Sequence, residues 1–387
     1  MESSITPIGK GEVLLHVGLH KTGTTALQVA LADARGVLED YDVRYPGKTL
    51  YHHKAILAGA DRPYGWRDNG ARITPKKHWK KMLKEADYPG RTIISSEFLD
   101  DIKPEIGARM VDDLGGKQRV NVVVTLRAIG AILPSAWQQG LKAGVTTGYN
   151  QWLKVMFDEQ QTTRAERFWY RHDQVEQVRR WAQVVGADRT YAVVIPDGDR
   201  TAIFTGFEGL LGLPGGFLAN REQIIQNRSM TTPEAEFVRS LNKELAGQMS
   251  WDEYTVMVRR ALILNMVEKR RPAADEPRIQ TPEWAADKAE EYGQRFAKGI
   301  AELGVQVIGD PADLAVRPRS GSSDRPESLS IDAAVAGTAG LVLEALAERR
   351  ALEEKAKTVA AAAPAPTRGS RWTARGAARA LKRGFSK

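Results

Sequence analysis

Over its first two thirds the chain alternates two kinds of hydrophobic pattern. Short apolar runs recur as VLLHVGL (Val13 to Leu19), RTIISSE (Arg91 to Glu97), RVNVVVTLR (Arg119 to Arg127) and RTYAVVIP (Arg189 to Pro196). They are too short for typical helices and almost unbroken in hydrophobicity, which is the pattern of strands buried on both faces. Between them lie stretches such as TTALQVALADARGVL and DQVEQVRRWAQVVG, whose apolar residues recur at helical spacing. Strands alternating with helices predict an α/β fold, a parallel sheet flanked by helices, with ligands at the carboxyl ends of the strands. The loops after Leu19, Ser96 and Arg127 are therefore where chemistry is expected.

Beyond Thr231 the pattern becomes helical. PEAEFVRSLNKEL, DEYTVMVRRALILNMVEK and PEWAADKAEEYGQRFAKGIAEL predict a helical C-terminal extension of the same domain, residues 1–310. AVRPRSGSSDRPES predicts a linker over 311–330, followed by an alanine-rich helix over 331–358 and, around AAAAPAPT, a second break. The remainder, 359–387, reads as a flexible basic tail. On a helical wheel Arg368, Arg371, Arg375, Arg379, Lys382 and Arg383 share one face, with Ala374, Ala378, Leu381 and Phe385 towards the other. Such a segment suits an anionic membrane surface or a polyanion, and equally a solvated tail.

Composition adds limits. With 387 residues, 42% hydrophobic and 27% charged, the chain is long enough for a large core, and no apolar run is long enough to span a bilayer. The absence of cysteine excludes disulfides and thiolate metal sites. The N-terminal MESSITPIGKGEV lacks a basic segment leading into an apolar one, so a cytoplasmic protein is expected, with the tail as a route to membranes. The net charge of +8 invites a nucleic-acid reading, but much of the excess sits in the tail, and no specific nucleic-acid partner is expected.

The first loop carries the most specific signal. HVGLHKTGTTALQ spaces Gly18 and Gly23 as in a phosphate-binding P-loop, but Thr24 follows Gly23 and the lysine has moved forward to Lys21. Glycine-rich backbone running into a helix N-terminus suits a tetrahedral anion, with the Thr24 and Thr25 hydroxyls as added donors. In Mg²⁺-dependent NTPases the lysine follows the second glycine and a strand-end aspartate helps to hold the metal. Neither feature is found, so the loop reads as built for an anion that reacts without a metal. TLRAIGAILPSAWQQ then places Arg127 at a strand end and Ser135 near the following helix start, a forked cation and a hydroxyl suited to a phosphate.

Together, GLHKTGTT and Leu126-Arg127, with seven residues between Arg127 and Ser135-Ala136-Trp137, resemble the PAPS-dependent sulfotransferase family, of bacterial type. The likeness spans roughly residues 12 to 310. It implies a P-loop NTPase-like sheet and PAPS (3′-phosphoadenosine 5′-phosphosulfate) as co-substrate. It further implies that Gly18, His20, Lys21, Thr22, Gly23, Thr24 and Thr25 hold the phosphosulfate end, and Arg127 and Ser135 the 3′-phosphate. The family's usual RNP reads Arg127-Ala128-Ile129 here, and the Arg-Lys-Gly segment that some members use as a further 3′-phosphate contact is not found, with Asn227-Arg228-Ser229 as a candidate substitute. The implied reaction moves a sulfuryl group to a hydroxyl or amine of a carbohydrate, glycolipid or small metabolite. Lys21 would stabilise the leaving charge. Glu97, at the end of its strand, is the family-matched base, with Ser95 or Ser96 to position it, and His52 and His53 in LYHHKAIL are its rivals.

Other residues read more simply. His16 is expected as a satisfied core histidine, and His78 in KKHWKKMLK as part of a solvated helix face that could also attract an anionic acceptor. Trp181 is expected in the core, with Tyr170 nearer the donor and Trp169 unassigned. Two other functions remain open: a P-loop kinase or nucleotide-binding protein needing Mg²⁺ and a triphosphate, and a non-catalytic protein binding a membrane or polyanion.

Overall fold

A computed structural model describes residues 5–64, 72–199, 201–221, 228–322, 326 and 328–362. Asn227 and the tail beyond 362 lie outside the described residues. The strands are β1 (Val13–Gly18), β2 (Val43–Arg44), β3 (Arg91–Ser96), β4 (Val120–Arg127), β5 (Thr190–Ile195) and β6 (Gln306–Ile308). The helices between them are α1 (Thr24–Leu38), α2 (His53–Gly59), α3 (Lys77–Ala86), α4 (Pro104–Asp113), α5 (Ile129–Leu141), α6 (Tyr149–Asp158), α7 (Thr163–His172), α8 (Gln174–Val185) and α9 (Ala202–Leu211). The C-terminal part holds α10 (Thr232–Glu244), α11 (Trp251–Glu253), a π-helical stretch Tyr254–Leu264, α12 (Asn265–Lys269), α13 (Glu283–Glu302) and α14 (Ile331–Ala362).

All strand pairs are parallel, and the six-stranded sheet runs β2-β3-β1-β4-β5-β6. The unbroken apolar runs follow from this position. Along β1, Val13, Leu15 and Val17 enter one core and Leu14 enters the other, on the opposite face. The first core takes Ile132, Leu133, Val178 and Trp181 from α5 and α8. The second takes Leu27, Leu31 and Leu38 of α1 with Phe204 and Phe207 of α9. The chain leaves β1 towards β2 and leaves β4 towards β5, so connections diverge between β1 and β4. A crevice opens at the carboxyl ends of strands at that point.

Two expectations change. The stretch read as a linker packs on the domain from Pro311 to Gly321: Leu314 is buried, Pro318 covers Gly130, and Arg317 reaches Glu283, Asp287 and Glu290 of α13. Arg317, which looked like a linker charge, is engaged in ion pairs. The alanine-rich helix α14 also docks. A Cβ on Gly340 would come 1.8 Å from the Ala261 carbonyl, so glycine permits the close approach. Beside it, Arg270 pairs with Glu234 at 2.8 Å, with Asp332 at 2.7 Å and with Glu276, joining α10, α12 and α14. No helix among the described residues is long and apolar enough to cross a membrane.

Candidate functional site

The loop from Leu19 to Gly23 rises off the end of β1, and its shape depends on the two glycines. A Cβ on Gly18 would meet the Thr24 hydroxyl oxygen at 2.2 Å, so β1 approaches α1 only with glycine there. Gly23 caps α1 with φ 89°, in the left-handed region. Lys21, at the crest, also has a positive φ of 73°, a conformation that costs a lysine energy and is held here by its surroundings. One support is Arg127, whose Nη1 donates to the Lys21 carbonyl at 3.4 Å. Another is Thr22, which is buried and donates to the Leu19 carbonyl at 2.7 Å while sharing a 2.7 Å hydrogen bond with the Thr125 hydroxyl. Thr22 thus fastens the loop to β4 with its side chain. The first turn of α1 has no acidic residue and no side-chain cap; the Ala26 and Leu27 N–H groups turn back to the Gly23 carbonyl, which leaves those of Thr24 and Thr25 as the ones open to an anion.

Arg127 and Ser135 stand across the crevice from that turn. A cavity of about 1050 Å³ is bounded by Thr22, Gly23 and Thr25 on one side and by Arg127, Ser135 and Gln138 on the other, with Pro196, Asp197 and Arg228 at its margins. This volume suits a nucleotide-sized ligand. A smaller cavity of about 240 Å³, bounded by Trp137, Tyr149 and Arg239, does not include these strand-end loops. Arg127 pairs with Asp197 at 2.6 Å, and its Nε is buried without a hydrogen-bond partner. Arg228 differs: both its terminal nitrogens bond the Glu234 carboxylate at 2.7 Å, so its guanidinium is already engaged.

At the other side of Lys21 lies a charged cluster. Glu97 follows β3 directly, where Ser96 caps a short 3-10 turn by accepting from the Phe98 N–H. Burial raises the Glu97 pKa; His20, Lys21 and Arg171 pull it back, and Asp100 pushes it further up. Lys21 is open to solvent on one side and walled by protein elsewhere, and that desolvation lowers its pKa against the attraction of Glu97. His20 bonds through Nδ1 to Asp100, whose side chain is fully buried. Burial works against a charge on His20, but Asp100, helped by Glu97, reverses the balance and raises its pKa.

The two histidines of LYHHKAIL separate. His52 is buried, and both its ring nitrogens are occupied: Nδ1 accepts from the Ser95 N–H at 3.1 Å and Nε2 donates to the Pro46 carbonyl at 2.8 Å. It ties α2 to β3 and has no ring nitrogen left to take an acceptor's proton, which corrects its candidacy as a base. Burial depresses its pKa to about 4. His53 stacks on Tyr51 and meets the edge of Phe98, with its pKa also lowered to about 4 by burial. It lies within electrostatic reach of His20, beside the charged cluster. His16 bonds Ser95 at 2.8 Å and Thr125 at 3.3 Å inside the core, as expected of a satisfied histidine. Trp181 is buried, and Tyr170 lies beneath Arg180, whose guanidinium is 3.9 Å from the ring centre.

Sequence reasoning missed Asp100, Arg171 and Asp197. Asp100 had a local signal, three residues after Glu97 in EFLD, and Asp197 directly follows the β5 run. Arg171 had none, because α7 reaches the site only through tertiary packing.

The fold is α/β, an all-parallel six-stranded sheet flanked by helices, an arrangement consistent with Rossmann-like and P-loop-like proteins. Comparison with protein families, curated proteins and solved structures finds no match to the chain.

Proposed function

We propose that the chain is a PAPS-dependent sulfotransferase acting on a hydroxyl or amine acceptor. The observation that carries this reading is the single crevice, lined at once by Gly23 and Thr25 of the β1 loop and by Arg127 and Ser135 after β4. The donor set fits a nucleotide with phosphate at both ends. Open N–H groups of α1 and the Thr25 hydroxyl face one end; the under-bonded Arg127 and Ser135 face the other. PAPS supplies the activated sulfuryl group.

The chain's own residues supply positioning and charge. Glu97 takes the proton from the acceptor O–H or N–H, whose lone pair forms the new bond to sulfur. The breaking S–O bond leaves its electron pair on the phosphate oxygen, and Lys21 on the crest stabilises that charge. A raised Glu97 pKa makes a stronger base while its neighbours Lys21 and Arg171 keep the carboxylate accessible. The His20–Asp100 pair is the second arrangement with a base's geometry, a histidine oriented by a buried carboxylate.

The test is calorimetric titration with adenosine 3′,5′-bisphosphate in EDTA, with ATP and Mg²⁺ as comparison. Micromolar metal-free binding is expected, weakened about 10- to 100-fold in Arg127→Ala through loss of charge-assisted hydrogen bonds. Binding of ATP only with Mg²⁺ would instead favour a kinase-type nucleotide site. Absence of both, with lipid binding lost on tail deletion, would favour a membrane-binding protein.

A further inference from the structure

We infer that the cleft continues past Lys21 into an acceptor subsite where Lys142 and Arg259 hold an anionic oxygen group of the acceptor, a carboxylate or a phosphate or sulfate ester. The word "acceptor" rests on the sulfuryl-transfer reading; the anion site itself does not.

The geometry begins with α5. Ala131, Ser135 and Gln138 line the crevice, so that face of the helix looks into it. Lys142 is the C-cap residue of α5, four positions after Gln138 and seven after Ser135. At about 3.6 residues per turn it continues the same face, about 10 Å further along the axis. The helix thus carries one line of side chains from the donor crevice to a second location. Lys142 lies within electrostatic reach of both Lys21 and Arg259, which ties that location to the crest of the loop.

Arg259 comes from the π-helical stretch, which packs on the end of α5: the Tyr254 hydroxyl donates to the Leu141 carbonyl at 3.0 Å, one residue before Lys142. π-Helical turns often occur at functional sites. Four residues before Arg259, on the same side of its helix, the Thr255 hydroxyl oxygen is buried without a hydrogen-bond partner.

Lys142 and Arg259 are partly buried, and neither side chain has a hydrogen bond or ion pair with any described residue. The contrast within the molecule is direct, since Arg228, Arg270 and Arg317 are each met by carboxylates. Lys142, beside Lys21, and Arg259 are two desolvated like charges within reach of each other, which is unfavourable unless an anion joins them. Burial and its cationic neighbours lower the Lys142 pKa to about 8. An oxygen anion is the ligand that relieves all three features: two cations without a carboxylate among the described residues and an unsatisfied hydroxyl.

The test labels amines competitively at pH 8 and reads each lysine by mass spectrometry, on wild-type protein saturated with adenosine 3′,5′-bisphosphate so that the donor crevice is filled. Lys142 is expected to react faster than the exposed Lys80 and Lys81. The probes are inorganic phosphate, 4-hydroxyphenylacetate and its neutral counterpart 4-hydroxyphenethyl alcohol. An anion that raises the Lys142 pKa by about one unit cuts its free-amine fraction at pH 8 about fivefold. Protection of that size by an anion, absent with the alcohol and lost in Arg259→Gln, is the expected result. Protection by phosphate alone assigns an ester group, and protection by the arylacetate alone assigns a carboxylate. No protection by either anion, or equal protection by the alcohol, overturns the subsite. Bisphosphate binding is measured in the same samples. Bisphosphate bound without protection of Lys142 removes the subsite and leaves the donor reading standing. Protection without bisphosphate binding does the reverse.

Discussion

Arg127 and Arg270 show two environments for the same side chain. Among the described residues Arg127, at the end of β4, has one carboxylate partner, Asp197 at 2.6 Å, one long contact to the Lys21 carbonyl, and a buried Nε with no partner. Arg270, at the end of α12, is almost fully buried and is met by Glu234, Glu276 and Asp332, with Ser330 as a further acceptor. A guanidinium has five N–H donors. Around Arg270 carboxylates and a hydroxyl meet them, so the residue fixes the relation of three helices. Around Arg127 they are incompletely met, in a crevice of about 1050 Å³ whose opposite wall is an uncapped helix start. Partner saturation distinguishes an arginine that holds the fold from one suited to a ligand, and it places Arg228 with the former.

The sharpest way to break this contrast is Arg270→Ala. Removing the cation leaves the buried Glu234 with Arg228 and the Thr231 N–H, and a loss of about 3–5 kcal/mol is expected on thermal or denaturant unfolding. Arg127→Ala is expected to cost under about 1 kcal/mol, in keeping with an exposed pair. Equal losses for the two would remove the distinction.

On the crevice side, Glu97→Gln is expected to lower release of bisphosphate from PAPS about 10³-fold. In the proposed reaction Glu97 acts ionised, so the rate is expected to rise with pH through its pKa. Because that pKa is raised, the acid limb falls above the ordinary carboxylate range, and the glutamine variant loses it. An unchanged limb would pass the role to His20. Lys21→Ala is expected to slow turnover about 10²-fold with little change in bisphosphate affinity, opposite to Arg127→Ala. The smallest effect is expected for Asp197→Asn, which frees Arg127 from its one carboxylate partner among the described residues and tightens bisphosphate binding by about two- to fivefold in calorimetry. Weaker binding would mean that Asp197 orients Arg127 and does not compete with the ligand.

What could be read from the sequence follows from how local each signal is. β1, β3, β4 and β5 were legible because a strand buried on both faces needs a continuous apolar run. β2, with two residues, and β6, with three, carry too little pattern; they are strands because β3 and β5 offer them backbone partners. Gly18, Gly23, Arg127 and Ser135 were legible because loop shape and strand-end spacing are set within a few residues. His52 misled, since its role depends on Ser95, forty-three positions away, and on the Pro46 carbonyl. The pairing of His20 with Asp100, eighty residues on, and the approach of Lys142 to Arg259 arise only when the sheet and helices pack.

The Arg270 cluster also imposes an order on assembly. Asp332 follows Arg270 by sixty-two positions, so at about 5–20 residues per second it is synthesised about 3–12 s later. Through that interval Arg270 has Glu234 and Glu276 but neither Asp332 nor Ser330, and the face of the π-helical stretch that meets Gly340 is uncovered. The sheet and its crevice are encoded entirely upstream and can form first. Docking of α14 is then expected to follow the sheet, and a chain stopped before Ser330 is expected to leave Leu262 and Phe237, which face Gly337 of that helix, less covered.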